Sequence, residues 1–399
     1  MEEQEARVLR WAVVGAGDVC RRKSGPALAG VEGSRIEVVY RRNGREAEGF
    51  VELMGQGRVV AGFDQVLEDP RVDGVYIATP HQVHAEQAIA CLRAGKAVLV
   101  EKPMALNTQE CTQMVLEAER AAGLGSGQGA GKGGAGRRAT GQGVAGLSSG
   151  QGAGGLLGVA YYRRGYPSIQ KVRAILASGL IGEPVSMALN NEFPTSHRID
   201  LVHYLLGSVG RVGITRGGTG SFAPENMQPM ITLETLGGVR VSLASGWLET
   251  GMAEALVIHG TLGSIVVEDL KGGVLRVQTP KEQIQLKVPG LPWTHWGLIE
   301  NFVQVWRDRV GEGSGGVASG QGEVDNGGLA GGVNSGSGDG SGRVEDAASG
   351  QGKVDRGPGV PTRPQLLCSG EEGRKSTVIL DFLALAEPGG DWVQVEYPD

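Results

Sequence analysis

Four cysteines in 399 residues are too few and too scattered for a disulfide framework. Cys20, Cys91, Cys111 and Cys368 form neither a CxxC pair nor a metal-ligand spacing. Two of them fall within apolar, helix-like patterns, so reduced, packed thiols are expected, and no metal centre. An excess of positive charge is also missing: a net charge of −6 argues against an electrostatic nucleic-acid partner. No apolar run reaches the length of a membrane span. The opening residues, MEEQEARVLRW, are acidic and lack the apolar core of a secretory signal, and they do not resemble a transit peptide. A cytoplasmic chain without membrane contact is the expectation.

Glycine, by contrast, is in excess. The 69 glycines are more than twice the usual share of about 7%. They concentrate in two blocks, 125–155 and 311–361, built from Gly, Ser, Ala, Gln and Val, in which SGQG recurs at Ser126, Ser149, Ser319 and Ser349. Such tracts bury too little apolar area to offset their ordering entropy, so both are read as disordered insertions. The remainder divides into 7–124, 156–310 and 362–399.

Outside the blocks, strand and helix patterns alternate, the signature of a parallel sheet. Arg10–Val14 is apolar and β-prone and runs into Gly15-Ala16-Gly17-Asp18-Val19-Cys20. Gly15 permits a tight turn, Gly17 lets backbone approach a pyrophosphate, and Cys20 is small enough for close helix–strand packing. Arg35–Tyr40 reads as the second strand. Where an acidic residue would bond the ribose of NAD, the chain places Tyr40, Arg41 and Arg42. A guanidinium takes a 2′-phosphate bidentately, which favours NADP over NAD. Asn43–Met54 has helical spacing; Arg58–Ala61 and Val72–Ala78 read as strands around a short helix at Asp64–Asp69. The strand ending at Ala78 delivers Thr79 and Pro80 to the carboxyl edge of the sheet, where ligands bind in open α/β folds, and His84 opens the helix that follows. Ala97–Val100 is a buried-type strand carrying Glu101, Lys102 and Pro103 at its carboxyl end. Lys102 precedes a proline, which biases its backbone toward the extended region and holds the ammonium on a rigid turn.

Three of these stretches, GAGDV at Gly15, YIATPHQVH at Tyr76 and VLVEKPMALN at Val98, together resemble the Gfo/Idh/MocA family of NAD(P)-dependent oxidoreductases. The resemblance continues through LLGVAYYRRGYPSIQKVRAILASGLIGEPVSM (156–187), SHRID at Ser196 with LLG at Leu205, HWGLIENFVQVWRD (295–308) and RPQLLCSGEEGRKSTVILDFLALA (363–386). It implies an α/β chain: an N-terminal Rossmann domain with a doubly wound parallel sheet, and a C-terminal α+β domain with an open, mostly antiparallel sheet. The short β-prone runs at 230–236, 239–246, 253–260, 264–268 and 273–279 agree with that second sheet. A homo-oligomer through this sheet is implied by analogy.

The cofactor contacts so implied, for NADP or NAD, are Gly15, Gly17, Asp18, Val19, Tyr40, Arg41, Arg42, Thr79, Pro80, His84, Glu101 and Lys102. Lys102, His197 and Asp200 match the family's catalytic positions, with Tyr162 and Arg163 as contacts for a small-molecule substrate. The implied activity is hydride transfer between nicotinamide and a hydroxyl or carbonyl group of a sugar, polyol or related molecule. Two departures stand out. The segment before His197 is short, and Phe193 occupies the position of a family Asp, with Glu192 beside it. They motivate an alternative reading, a nucleotide-binding protein of impaired catalysis that serves as a sensor or interaction module.

Overall fold

The structure, a computed structural model, describes residues 7–123, 154–190, 195–215, 230–244, 254–312, 344–345, 364–388 and 390–398. Apart from their edges and residues 344–345, the Gly-rich blocks lie outside the described residues. So do Glu192 and Phe193.

Six strands form the first sheet: β1 (Leu9–Val14), β2 (Ser34–Tyr40), β3 (Arg58–Val60), β4 (Gly74–Ile77), β5 (Ala97–Val100) and β6 (Leu157–Val159). All pairings are parallel, in the order β3-β2-β1-β4-β5-β6. Every residue of β4 and β5 is buried, as continuous apolar strands covered on both faces must be. The connections run through α1 (Gly25–Gly30), α2 (Gly44–Met54), α3 (Asp64–Glu68), α4 (His84–Arg93) and α5 (Thr108–Ala121). Strand order reverses between β1 and β4, the kind of switch point outside whose carboxyl ends ligands bind in open α/β sheets. The turns after β1, β4 and β5, which carry the glycine motif, Thr79 and Lys102, all meet there.

After α6 (Pro167–Ala177) the chain builds a second sheet from β7 (Pro184–Asn190), β8 (Val209–Thr215), β9 (Met230–Thr235), β10 (Arg240–Ala244), β11 (Ala255–Gly260), β12 (Ser264–Val267), β13 (Gly273–Gln278) and β14 (Gln283–Val288). Two-residue strands β15 (Val344–Glu345) and β16 (Val393–Gln394) border it, in the order β15-β14-β13-β12-β11-β7-β10-β9-β8-β16. It is mostly antiparallel, with β7–β10 and β14–β15 parallel. The expected strands are present; β8 and β14, which the sequence pattern did not single out, complete the sheet. β14 alternates exposed and half-buried residues, so it offered no apolar run to read.

Three helices bind the parts together: α7 (Thr195–Leu206), α8 (Trp296–Glu312) and α9 (Gly370–Leu383). α8 packs against α1, β1 and β2, and its Phe302 ring lies 5.1 Å from the fully buried Trp11. Trp11 Nε1 donates to Ser34 Oγ at 2.9 Å, and Ser34 passes the bond on to the Leu28 carbonyl at 2.6 Å. α9 packs on α5, where Asp381 accepts from both the backbone N–H and the hydroxyl of Thr108 at 2.9 and 2.6 Å. The four cysteines are free and buried, as expected. No helix among the described residues is long and apolar enough to cross a membrane.

Candidate active site

The turn after β1 is set by backbone sterics. Gly15 has φ +110°, and a Cβ there would stand 2.4 Å from the Ala78 carbonyl oxygen, so glycine is required at this position. At Gly17 the nearest atom to an added Cβ is Arg41 Nη1 at 3.5 Å, leaving the open approach a pyrophosphate needs. The residues present therefore fit a dinucleotide. Cys20 is fully buried and starts a five-residue π turn, Cys20–Ser24. Close packing falls instead on Gly25, where a Cβ would meet the Cys20 carbonyl oxygen at 2.6 Å and the Phe50 ring at 2.9 Å.

Arg41 reaches back to this turn: Nη1 donates to the Gly15 and Ala16 carbonyls at 3.1 and 2.9 Å, while Nη2 pairs with Glu46. It braces the glycine loop with its charge already compensated. Arg42 is exposed beside it, Tyr40 packs 6.1 Å from the Phe63 ring, and Val19 and Asp18 lie open to solvent, Asp18 paired with Arg22 at 2.7 Å. Thr79 Oγ1 donates to Gln87 at 2.7 Å, and Pro80 leads into the turn before α4.

His84, expected as a cofactor contact, lies inside the fold. It is 1% exposed, and its two ring nitrogens face the Thr79 and Pro103 carbonyls at 2.9 and 3.0 Å. Burial pulls it below its ordinary pKa, against those two carbonyls. The imidazole lies between the turn after β4 and the turn after β5, and in its neutral form donates to one of the two carbonyls. Glu101 is likewise enclosed. It is buried, and its carboxylate accepts from the Tyr76 hydroxyl at 2.5 Å, from His295 at 3.2 Å and from the backbone N–H of Lys102 at 3.2 Å. Burial pushes its carboxyl up, but the bonds from His295 and Tyr76 outweigh that and hold it below the usual range.

Lys102, half-buried at the end of β5, has no ion-pair partner among the described residues. His197, in the first turn of α7, is 1% exposed, with the Tyr162 ring 4.8 Å and the Tyr161 ring 5.5 Å away. Burial, then the charges of Arg163, Lys102, His295 and Lys23, drives it well below its ordinary pKa, so the imidazole is neutral at pH 7. Lys23 is lowered by burial and by Arg163 and Lys102. The structure thus brings Lys102, His197, Tyr162 and Arg163 together and adds Lys23.

The two arginines of YYRR point to different partners. Arg163 makes a bidentate pair with Glu254 at 2.9 and 2.5 Å and donates to the Tyr162 hydroxyl at 3.0 Å. Arg164 pairs with Asp200 at 2.7–3.0 Å, both fully enclosed, and donates to the Leu367 carbonyl at 2.8 Å. The expected catalytic Asp200 is thus held by a guanidinium. Three residues beyond His197 on α7, it is turned into the core, where burial pushes its carboxyl up to about 6 against the pull of Arg164. In this position its carboxylate joins α7 to the YYRR turn.

His295, Glu254, Tyr76 and Lys23 were not among the expected site residues, although Tyr76 and His295 open two of the stretches that carry the resemblance. Glu254 carries no local signal. His295, one of six histidines, stands at a helix start beside Thr294, which was the available cue.

The parallel sheet, the glycine cradle and the lysine at the carboxyl end of β5 define a Rossmann dinucleotide-binding protein with an appended sheet. The sequence model of an oxidoreductase family with an NAD-binding Rossmann fold, Gfo/Idh/MocA, matches residues 9–124. It is 28% identical over 182 residues to Oxidoreductase P35 of Formosa agariphila, covering 46% of each chain, and so spans under half the length of the first curated relatives it matches. It is 27% identical over 334 residues to Inositol 2-dehydrogenase 2 of Mycolicibacterium vanbaalenii, covering 79% of this chain and 86% of that one. An oxidoreductase from Agrobacterium radiobacter, solved with NAD+, L-tartaric acid and magnesium, shares the fold at a TM-score of 0.65, with 16% identity over 97% of this chain and 98% of that one.

Proposed function

We propose that the chain is an NAD(P)-dependent oxidoreductase acting on a CH–OH group, or its carbonyl counterpart, of a sugar, polyol or related small molecule. The observation that carries this reading is the Lys102 ammonium at the carboxyl end of β5, beside a neutral, buried His197. A bound nicotinamide supplies the hydride acceptor or donor. Lys102 lowers the energy of the alkoxide that develops on the reacting oxygen. His197 holds or takes up the hydroxyl proton, which a neutral imidazole can do and an imidazolium cannot. Tyr162, its hydroxyl accepting from Arg163, orients the substrate's other hydroxyls. The Gly15–Val19 turn receives the pyrophosphate. Arg42, exposed next to the braced Arg41, favours the 2′-phosphate of NADP over NAD.

The division at 7–124, 156–310 and 362–399, a cytoplasmic setting, and a homo-oligomer formed through the second sheet belong to the same reading. Seclusion of Asp200 favours the second reading, a nucleotide binder without turnover. Titration with NADPH and NADH, followed by turnover against a polyol and sugar panel, separates the two. NADPH binding with turnover supports the enzyme, and binding without turnover on the whole panel supports the sensor. Absence of binding would reject both.

A further inference from the structure

A buried histidine that was given no role in the expected site is His295. It is 0% exposed and stands immediately before α8. Its Nε2 lies 3.2 Å from Glu101 Oε1, the oxygen that also accepts the Tyr76 hydroxyl at 2.5 Å. The other oxygen, Oε2, accepts the backbone N–H of Lys102 at 3.2 Å. One carboxylate thus joins β4, the end of β5 and the start of α8. Thr294 Oγ1 lies 3.2 Å from His295 Nδ1. With the hydroxyl donating to Nδ1, a neutral ring carries its proton on Nε2 and donates to Glu101. The ring also packs 4.3 Å from Tyr162, which in turn stands 4.8 Å from His197.

A buried carboxylate that loses one of its donors is left partly unsatisfied and moves to recover a partner. Here the movable partner is the backbone of Lys102. We propose that His295 is a positioning residue for Lys102: by donating to Glu101 it fixes the carboxylate that holds the Lys102 backbone, and so sets where the ammonium stands relative to His197. It touches no reacting atom. The proposal rests on the oxidoreductase reading, and it distinguishes two substitutions of similar size. His295→Gln keeps an N–H donor near the position of Nε2, whereas His295→Phe keeps the ring against Tyr162 and removes the donor.

Both variants are compared with the parent protein for kcat, KM for NADPH, melting temperature and the ¹³C-dimethyl signal of Lys102 after reductive methylation, assigned by its absence in Lys102→Arg. The expected result is a kcat lower by about 10–100-fold in His295→Phe, the scale of a small misplacement. Its KM for NADPH stays within twofold, and its Lys102 signal shifts. His295→Gln retains kcat within threefold and the parental signal. Equal kcat losses in both variants, a loss that tracks the melting temperature, or an unmoved Lys102 signal in His295→Phe would overturn the proposal. Should the parent protein turn over no substrate, the oxidoreductase reading fails while the Lys102 signal still decides whether His295 positions that side chain.

Discussion

The carboxyl edge of the first sheet and the corner formed by YYRR and α7 reach order by different means. At the sheet edge, side chains face the backbone carbonyls of neighbouring turns: Arg41 those of Gly15 and Ala16, His84 those of Thr79 and Pro103. At the corner, charged side chains pair across long separations, Arg163 with Glu254 over 91 residues and Arg164 with Asp200 over 36. The sheet-edge contacts join successive turns of one sheet, while the ion pairs exist only once segments of both sheets have packed. The first tolerates little change of shape; the second tolerates little change of charge.

Breaking the corner should have the largest effect. Arg164→Met leaves Asp200 in a dry site without its guanidinium, and a loss of about 3–5 kcal/mol in unfolding free energy is expected. Denaturant melts of Arg164→Met and of the double variant Arg164→Met, Asp200→Leu make the test, since replacing both charges by apolar groups should recover most of that loss. A double variant as unstable as the single would show that the pair does more than neutralise a charge.

At the sheet edge, Gly15→Ala should cost more than the about 1–3 kcal/mol of backbone strain alone, because its Cβ overlaps the Ala78 carbonyl oxygen. Its nucleotide affinity should fall at least tenfold by fluorescence titration. Arg42→Ala sharpens the comparison within one turn. It should weaken NADPH more than NADH by about 1.5–3 kcal/mol, the worth of hydrogen bonds to charged groups. Arg41→Ala should weaken both, because Arg41 braces the loop itself.

The smallest effect is graded with pH. His203 is held at about 4 and His197 well below its ordinary value, both chiefly by burial. Their folded pKa values lie below that of an unfolded histidine, so the unfolded chain binds more protons as pH falls below about 6.5. Each histidine should therefore lower stability by about 1.4 kcal/mol per unit below that pH on the way to pH 4, partly offset below about pH 6 by Asp200, whose raised carboxyl takes up its proton first in the folded chain. A flat profile between pH 6.5 and 4.5 would mean that these imidazoles are solvated or charged in the folded chain.

The same contrast explains what was legible in the sequence. The Rossmann strands, the glycine turn and the position of Lys102 could be read because apolar runs and glycines act locally; Ala97–Val100 falls on the observed β5. His84 and Asp200 were recognisable as motif residues, but their roles depend on the Pro103 carbonyl and on Arg164, which no spacing reveals. His295 was missed because its meaning lies 194 residues away, at Glu101. β14 was missed because half of it faces outward.

The central claim, that Lys102 acts on the reacting oxygen and does not serve to hold the cofactor, is tested most directly by Lys102→Met. Its kcat and its dissociation constant for NADPH should be measured side by side on the substrate that the panel identifies. The account predicts a kcat lower by about 10²–10³-fold or more, with NADPH affinity within threefold of the parent. Turnover retained, or an affinity loss as large as the loss of kcat, would contradict it.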